Sequence, residues 1–252
     1  MVISEGKSPT KAGDGLAEIS IIIVTYNAEQ TLQECLDSIF AQAYPAIEII
    51  IIDGDSTDGT KTILQKNSEH ISYWISEPDN GIYDAMNKAL KHITTQWVYF
   101  LGADDELLAD FSKLAYQLTD PTAIYYANVL HNNKKRSGLV SDYYMAKVGI
   151  YHQAIIYPNT VFEKYQYNTK YKVAADYALN MQCFKDKDFH FIYEDLIIAK
   201  YNHTGVSATI IDIPFEKDKG KLILENFGPK IWMRFIFRKL KGSFRRNSRT
   251  KQ

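Results

Sequence analysis

The residues best suited to chemistry are carboxylates gathered into short polar stretches. FLGADDE, residues 100–106, ends an apolar run with Asp104, Asp105 and Glu106 in succession. Three adjacent like charges repel, so they must be solvated, paired or bound to something cationic. Asp53-Gly54-Asp55-Ser56-Thr57-Asp58-Gly59-Thr60 also follows an apolar run, and Glu77-Pro78-Asp79-Asn80-Gly81 forms a third polar stretch. Aspartates cannot hold a pyrophosphate directly, because like charges repel. They can do so through a divalent cation, and Mg²⁺ or Mn²⁺ takes oxygen ligands of this kind. The sequence has no GxGxxG after its first strand and no GxxxxGK[ST] loop, so phosphate must be held in some way other than a glycine-rich cradle. A metal–diphosphate ligand follows, with an aspartate elsewhere left to recognise a base or ribose.

The elements that must position these groups are legible from periodicity. ISIIIVT (19–25) and IEIIII (47–52) are continuous β-branched runs, the mark of strands buried on both faces of a parallel sheet. Leu32, Cys35, Leu36, Ile39 and Phe40 fall at helical spacing between them, and Ile82, Met86, Leu90 and Ile93 form a later helical stripe. SYWIS (72–76) and WVYFL (97–101) supply the third and fourth strands. Strand and helix alternate, which predicts a doubly wound α/β sheet. Such sheets bind ligands at the carboxyl ends of their strands, and there the pattern puts Thr25, Tyr26, Asn27, Asp53, Asp55, Asp79, Asn80, Asp104 and Asp105.

Composition bounds the class. The 252 residues are 46% hydrophobic and 23% charged, with net charge −1, ordinary values for a globular chain. Cys35 and Cys183 stand far apart with no zinc spacing, so free thiols in a reducing compartment are expected. No apolar run approaches the length of a membrane-spanning helix. Residues 1–17 lack the apolar core of a signal peptide and read as a disordered leader. The near-neutral total hides an asymmetry. From Asn226 onward there are nine Lys or Arg and no Asp or Glu, which leaves residues 1–225 at −10.

ISIIIVTYNAEQTLQECLDSIFAQAYPAIEIIIIDGDSTDGT resembles the N-terminal half of the family 2 glycosyltransferases of GT-A fold, and SEPDNGIYDAMNKAL resembles a subgroup that assembles bacterial surface polysaccharides. FLGADD sits where that family places its DxD-type motif. The resemblance covers about residues 19–207. It implies a single GT-A domain over 18–210, with a nucleotide-sugar half (18–106) and an acceptor half (107–210), followed by a C-terminal tail (211–252). It also implies that Asp53 contacts the base, that Thr25, Tyr26 and Asn27 form the nucleotide-contacting turn, and that Asp79 and Asn80 line the donor site. Asp104 lies near the ribose, and Asp105 anchors the metal. The family's Asp-Asp-Gly-Ser is here Asp53-Gly54-Asp55-Ser56, which displaces the second carboxylate by one place and puts the role of Asp55 in doubt. Ala103 occupies the first position of a full DxD, so the cation has few protein ligands.

The second half must supply an acceptor site and a base. YHQAIIY (151–157) reads as a strand, and HNNKKRSG (131–138) as a polar hairpin. In YKVAADYALNMQCF, Asp176 falls in the first turn of a helix, where the dipole favours an ionised carboxylate. In the resembling subgroup this Asp is the catalytic base. Displacement at an anomeric carbon needs such a group, because the attacking hydroxyl must lose its proton as it bonds. Glu194 and Asp195 are rival carboxylates, more simply read as an acidic turn between strands. His152 lies in a motif resembling a donor- or acceptor-contacting loop. His203 sits in a segment able to close over the diphosphate, although a lone histidine is more often structural.

In the tail, Ile231, Trp232, Phe235, Ile236 and Leu240 interleave with Arg234, Arg238, Lys239 and Lys241. That is a basic amphipathic helix suited to an anionic membrane surface or to packing on its own domain. Nothing in it forms a nucleic-acid platform. The expected protein is an inverting, metal-dependent glycosyltransferase that takes a nucleotide-diphosphate sugar, with UDP favoured by the resemblance. Its acceptor is a glycan or polyprenyl-linked sugar, and its place is cytoplasmic, at the inner face of the membrane. The alternative is a non-catalytic sugar-nucleotide or glycan-binding scaffold. A nucleotidyltransferase would need a basic phosphate-binding loop near the first strand, which the sequence lacks.

Overall fold

β-branched residues pack well on a pleated surface, and the two isoleucine runs form neighbouring interior strands of the sheet. The computed structural model describes residues 2–5, 15–202 and 210–249, so His203 lies outside the described residues. The first half runs β1 (Val2–Glu5), β2 (Ile19–Thr25), α1 (Leu32–Phe40), β3 (Ile47–Asp53), α2 (Thr60–Lys66), β4 (Tyr73–Ser76), α3 (Ile82–Ala89) and β5 (Trp97–Gly102). The second half continues with β6 (Glu106–Leu107), α4 (Asp110–Ala115), β7 (Ala123–His131), β8 (Lys134–Arg136) and α5 (Asp142–Lys147). It closes with β9 (Ile155–Pro158), α6 (Thr160–Lys164), α7 (Ala175–Lys185), β10 (His190–Lys200) and α8 (Ile213–Arg249).

These strands join in one sheet of order β1-β4-β3-β2-β5-β9-β7-β10-β6, with β8 paired to β7. β4, β3, β2 and β5 are mutually parallel, as the alternating pattern predicts. β9 runs antiparallel to both β5 and β7, while β7 and β10 are parallel. The doubly wound half therefore continues into a mixed half. Ile19, Ile21, Ile22, Ile23, Ile50, Ile51 and Ile52 are all fully or almost fully buried. Each such side chain contributes roughly 1.5–3 kcal/mol of transfer free energy.

Register decides where the polar loops emerge. Thr25 lies opposite Asp53, Asp53 opposite Ser76, and Val24 opposite Gly102. All four parallel strands thus end in one row, which sets the polar stretches on a single rim.

Three local expectations are corrected. Within the segment read as a disordered leader, the backbone of Val2–Glu5 pairs antiparallel with Tyr73–Ser76 along the open edge of β4. Residues 152–154 form a 3-10 turn, and extended strand begins only at Ile155. Glu194 and Asp195 lie inside β10 rather than in a turn, at a register shift between Tyr193 and Ile197. Such a bulge lets a strand carry an outward acidic pair without ending. Of the two settings left open for the tail, packing on its own domain holds along part of its length. α8 is broken at Gly228, whose φ of 77° suits a residue without a Cβ, and Pro229 follows. Phe227 stacks on Phe184, and Ile231, Trp232 and Phe235 pack against the core. Met233, Phe237 and Leu240 stay exposed.

Candidate active site

The rim has two parts of opposite character. In the first, the β2–α1 and β3–α2 loops bind each other. Asn27, at φ 51°, donates its N–H to Ser56 Oγ (2.7 Å) and accepts from the Thr57 N–H at 2.9 Å. Ala28 N–H donates to Thr60 Oγ1, Glu29 N–H to Asp58, and Gly59 N–H to Glu29. Asp53 is completely buried. Its carboxylate accepts from the Ser56 N–H (3.0 Å), the Ser56 hydroxyl and the Ser76 hydroxyl (2.5 Å). The geometry makes Asp53 the knot of the loop pair, with no face open to a base. Asp55, at φ 62°, is exposed and pairs with Lys61 at 2.8 Å.

Around Gly54 the surface is different. A Cβ built there would meet Asp79 Oδ2 at 2.6 Å and the Tyr26 ring at 3.5 Å. Tyr26 is 65% exposed, so its ring offers a face to a planar ligand. Thr25 Oγ1 is buried without a hydrogen-bond partner among the described residues. Asp79 Oδ1 accepts from the Gly81 N–H at 2.7 Å, and Asn80 donates its N–H to Asp84 Oδ2 at 2.9 Å, so this turn also primes α3.

The second part answers the Asp104-Asp105-Glu106 triplet residue by residue. Glu106 faces Lys200 at 2.5 Å across the β6–β10 pair. Asp105 is buried. Its Oδ2 accepts from Gln153 Nε2 at 2.6 Å and its Oδ1 from the Asn202 N–H at 2.9 Å. Asn202 also donates to the Asp104 carbonyl at 2.7 Å. Burial pushes the Asp105 carboxyl above the usual carboxylate range, and Asp104 adds to that; His152 and the two hydrogen bonds oppose it. Gln153 Oε1 is buried and unpartnered among the described residues.

These groups fit a hard divalent cation. A Cβ on Gly102 would meet Asp105 Oδ2 at 2.5 Å and Asp104 Oδ1 at 3.1 Å, so two carboxylate oxygens converge on one small space that glycine leaves open. Positive charge there would offset the desolvation of Asp105, and oxygen donors suit Mg²⁺ or Mn²⁺. Among the described residues no three His, Cys, Asp or Glu side chains are placed to hold a metal ion together. Such a cation would therefore draw most of its ligands from a diphosphate and water.

Beside this pair lies a cleft of about 370 Å³, walled by Tyr83, His152, Gln153, Asp176, Tyr177 and Tyr201 among others. Asp176 stands in the first turn of α7. The Tyr83 hydroxyl donates to its Oδ1 at 2.6 Å, which leaves Oδ2 turned toward His152 Nδ1 at 3.9 Å. Burial, then the charge of Asp176, hold the Tyr83 phenol well above its ordinary pKa, so it stays a donor. His152 thus acts electrostatically on Asp105 and faces Asp176. Asp195 is engaged elsewhere, by Lys135, Tyr193 and Asn128, and Glu194 does not line the cleft. Sequence reasoning missed Tyr83. Its partner lies 93 residues away, and no local pattern reports that contact.

Comparisons with known proteins bear on the family and the fold. The family model described as "Glycosyl transferase family 2" matches residues 20–190. A PGL/p-HBAD biosynthesis glycosyltransferase of Mycobacterium tuberculosis is 35% identical over 210 residues, covering 79% of this chain and 82% of its own length. The Escherichia coli UDP-Glc:alpha-D-GlcNAc-diphosphoundecaprenol beta-1,3-glucosyltransferase WfgD is 26% identical, covering 73% and 76%. Among solved structures, S. aureus TarS 1-349 in complex with UDP-GlcNAc superposes with a TM-score of 0.67 at 18% identity, covering 83% of this chain and 67% of that one. The mannosyltransferase PcManGT of Pyrobaculum calidifontis, in complex with GDP-Man and Mn2+, gives 0.62 at 16%, covering 90% and 74%. At such identities the superpositions establish fold alone, and that fold is the expected GT-A arrangement.

Proposed function

The chain belongs to glycosyl transferase family 2, and on that premise we propose that it transfers a sugar, with inversion, from a UDP-sugar to a lipid-linked glycan acceptor in cell-surface polysaccharide or glycolipid assembly. The observation that carries this is Asp176, oriented by Tyr83 in a cleft that adjoins the Asp104–Asp105 pair. The relatives' names support the acceptor class, since WfgD acts on a diphosphoundecaprenol-linked sugar. WfgD is also named for a UDP-Glc donor, which supports UDP as the nucleotide. The site of action proposed is the inner face of the cell membrane, with the exposed apolar residues of α8 in contact with it. No helix among the described residues is long and apolar enough to cross a membrane.

In this mechanism the base stacks on exposed Tyr26, beside Asp79 and Gly54. Asp104 and Asp105 would hold Mg²⁺ or Mn²⁺, which when bound supplies positive charge against the departing diphosphate. The acceptor hydroxyl attacks the anomeric carbon as the carbon–oxygen bond to the diphosphate breaks on the opposite face. Its proton passes to Asp176 Oδ2, while Oδ1 stays pinned by Tyr83. His152, 3.9 Å from Asp176 Oδ2, offsets carboxylate charge when it carries a proton. Asp53 acts only through the loops it ties together.

Calorimetric titration with UDP-, GDP- and dTDP-sugars, each with and without Mn²⁺, tests the donor half. Metal-dependent binding of the UDP class is expected, and Asp105→Asn should remove the metal dependence. Folded protein that binds no nucleotide sugar under either condition would sink the proposal.

A further inference from the structure

Between α5 and α8 the surface is hollowed into a second cavity, of about 620 Å³. Lys147, Lys219, Arg238, Lys239 and Lys241 line it, opposed among the lining residues by one carboxylate, Glu216. A concave wall with this excess of cations concentrates anions. Lys219 is the most constrained of the five. Its side chain is 14% exposed, with Glu216 3.8 Å away, and its ammonium sits 4.8 Å from the Tyr177 ring centroid and 5.5 Å from that of Phe215. Burial pulls its amine below the ordinary lysine value; Lys147 and Lys239 pull the same way, against Glu216. Arg238, in the cavity wall, and Arg234 lie over the Tyr143 ring at 5.7 and 3.9 Å, within cation–π range. A ligand with two or more negative charges would relieve this crowding.

Two placements say which anion. First, the cavity shares a wall with the cleft that holds Asp176. Tyr177 lines that cleft and also underlies Lys219, and Val148 and Gly149, in the cleft wall, directly follow Lys147 in the cavity wall. Second, α8 carries two parallel stripes at helical spacing. Arg234, Arg238 and Lys241 form one, with Arg238 and Lys241 in the cavity wall. Met233, Phe237 and Leu240 form the other, 58%, 69% and 55% exposed. A charged socket therefore sits between a sugar-sized cleft and an apolar ridge. That is the order of parts in a molecule built as sugar, diphosphate and hydrocarbon chain.

We propose that this cavity binds the diphosphate of a polyprenyl-linked acceptor, seating its sugar in the Asp176 cleft and its prenyl chain along Met233, Phe237 and Leu240. The inference rests on the glycosyltransferase function proposed above and names the part of the acceptor the protein grips. A phospholipid headgroup could meet the same cations, but it carries no sugar to fill the adjoining cleft.

The test uses the full chain and phosphatidylcholine vesicles doped either with undecaprenyl diphosphate or, at matched surface charge, with phosphatidylglycerol. Binding to the diphosphate vesicles should be tighter by about tenfold, the scale of one or two charge-assisted hydrogen bonds. Inorganic pyrophosphate should compete for it. The double variant K147Q/K241Q replaces two exposed lysines and should lose the preference, yet bind nucleotide sugar in calorimetry like the parent. Equal binding to both vesicles, or an unchanged preference in the variant, would overturn the inference. Donor binding with no diphosphate preference removes the cavity site alone. If the parent chain binds no donor either, the glycosyltransferase proposal falls with it.

Discussion

The two halves of the rim hold similar numbers of carboxylates but use them differently. Around Asp53 each carboxylate has an internal partner: Ser56 and Ser76 for Asp53, Lys61 for Asp55, Thr60 for Asp58. Around Asp105 the balance is incomplete. Its acid strength is weakened by burial, Gln153 Oε1 has no partner among the described residues, and Asp176 Oδ2 faces a histidine 3.9 Å away. A buried polar group without a partner costs free energy, and Thr25 Oγ1, beside the first region, shares that state with Gln153 Oε1; what separates the regions is the state of their carboxylates. The first region builds the shape of the site, and the second is where a cation, a diphosphate and a hydroxyl would complete an unfinished set of interactions.

The largest effect that follows concerns the proposed base. Asp176→Asn should lower kcat by about a hundredfold to ten-thousandfold, with donor affinity in calorimetry unchanged. A variant with normal turnover would remove Asp176 from the chemistry and blur the contrast between the regions. Tyr26→Ala should raise the donor KM about tenfold through lost stacking and leave kcat close to the parent value. A kcat loss of the same size would mean that Tyr26 belongs with the chemistry instead.

Asp53→Asn should act on stability. It disturbs donors from Ser56 and Ser76 in a fully buried knot, at a cost of about 2 kcal/mol, or several degrees in Tm. Turnover per folded molecule should fall far less than in Asp176→Asn. A donor-affinity loss without a Tm change would restore Asp53 as a direct ligand.

The smallest effect lies outside the rim. Lys164 and Tyr165 hold the Asp186 carboxyl down to about 2, below its unfolded value of about 3.9. A depressed carboxylate stabilises above the unfolded pKa, and that stabilisation is lost as pH falls through the folded pKa. Tm should therefore drop between about pH 4 and pH 2, and Asp186→Asn should flatten that part of the curve. An identical acid profile in the variant would assign the loss to other carboxylates.

How much of this was legible in the sequence depends on the range of the contact. The isoleucine runs announce buried strands because both faces of those strands are covered, and Asp176 announces a helix N-terminus because a local stripe follows it. The fate of each aspartate was not legible. Asp53 and Asp105 look alike in sequence, each ending an apolar run. Their difference comes from residues remote in the chain, Ser76 for one and Gln153 and Asn202 for the other. Asp195 passed for a turn because a bulge inside a long strand has no period of its own. The tail showed its amphipathic stripe, but only the fold divides that stripe into residues packed on the core and residues left outside.

The central claim is a direct displacement served by one base, and the configuration of the product tests it most directly. Proton NMR of the newly formed glycosidic bond, read against the UDP-sugar supplied, should show inversion at the anomeric carbon. Retention would contradict the account, since it requires a different chemistry from the one assigned to Asp176.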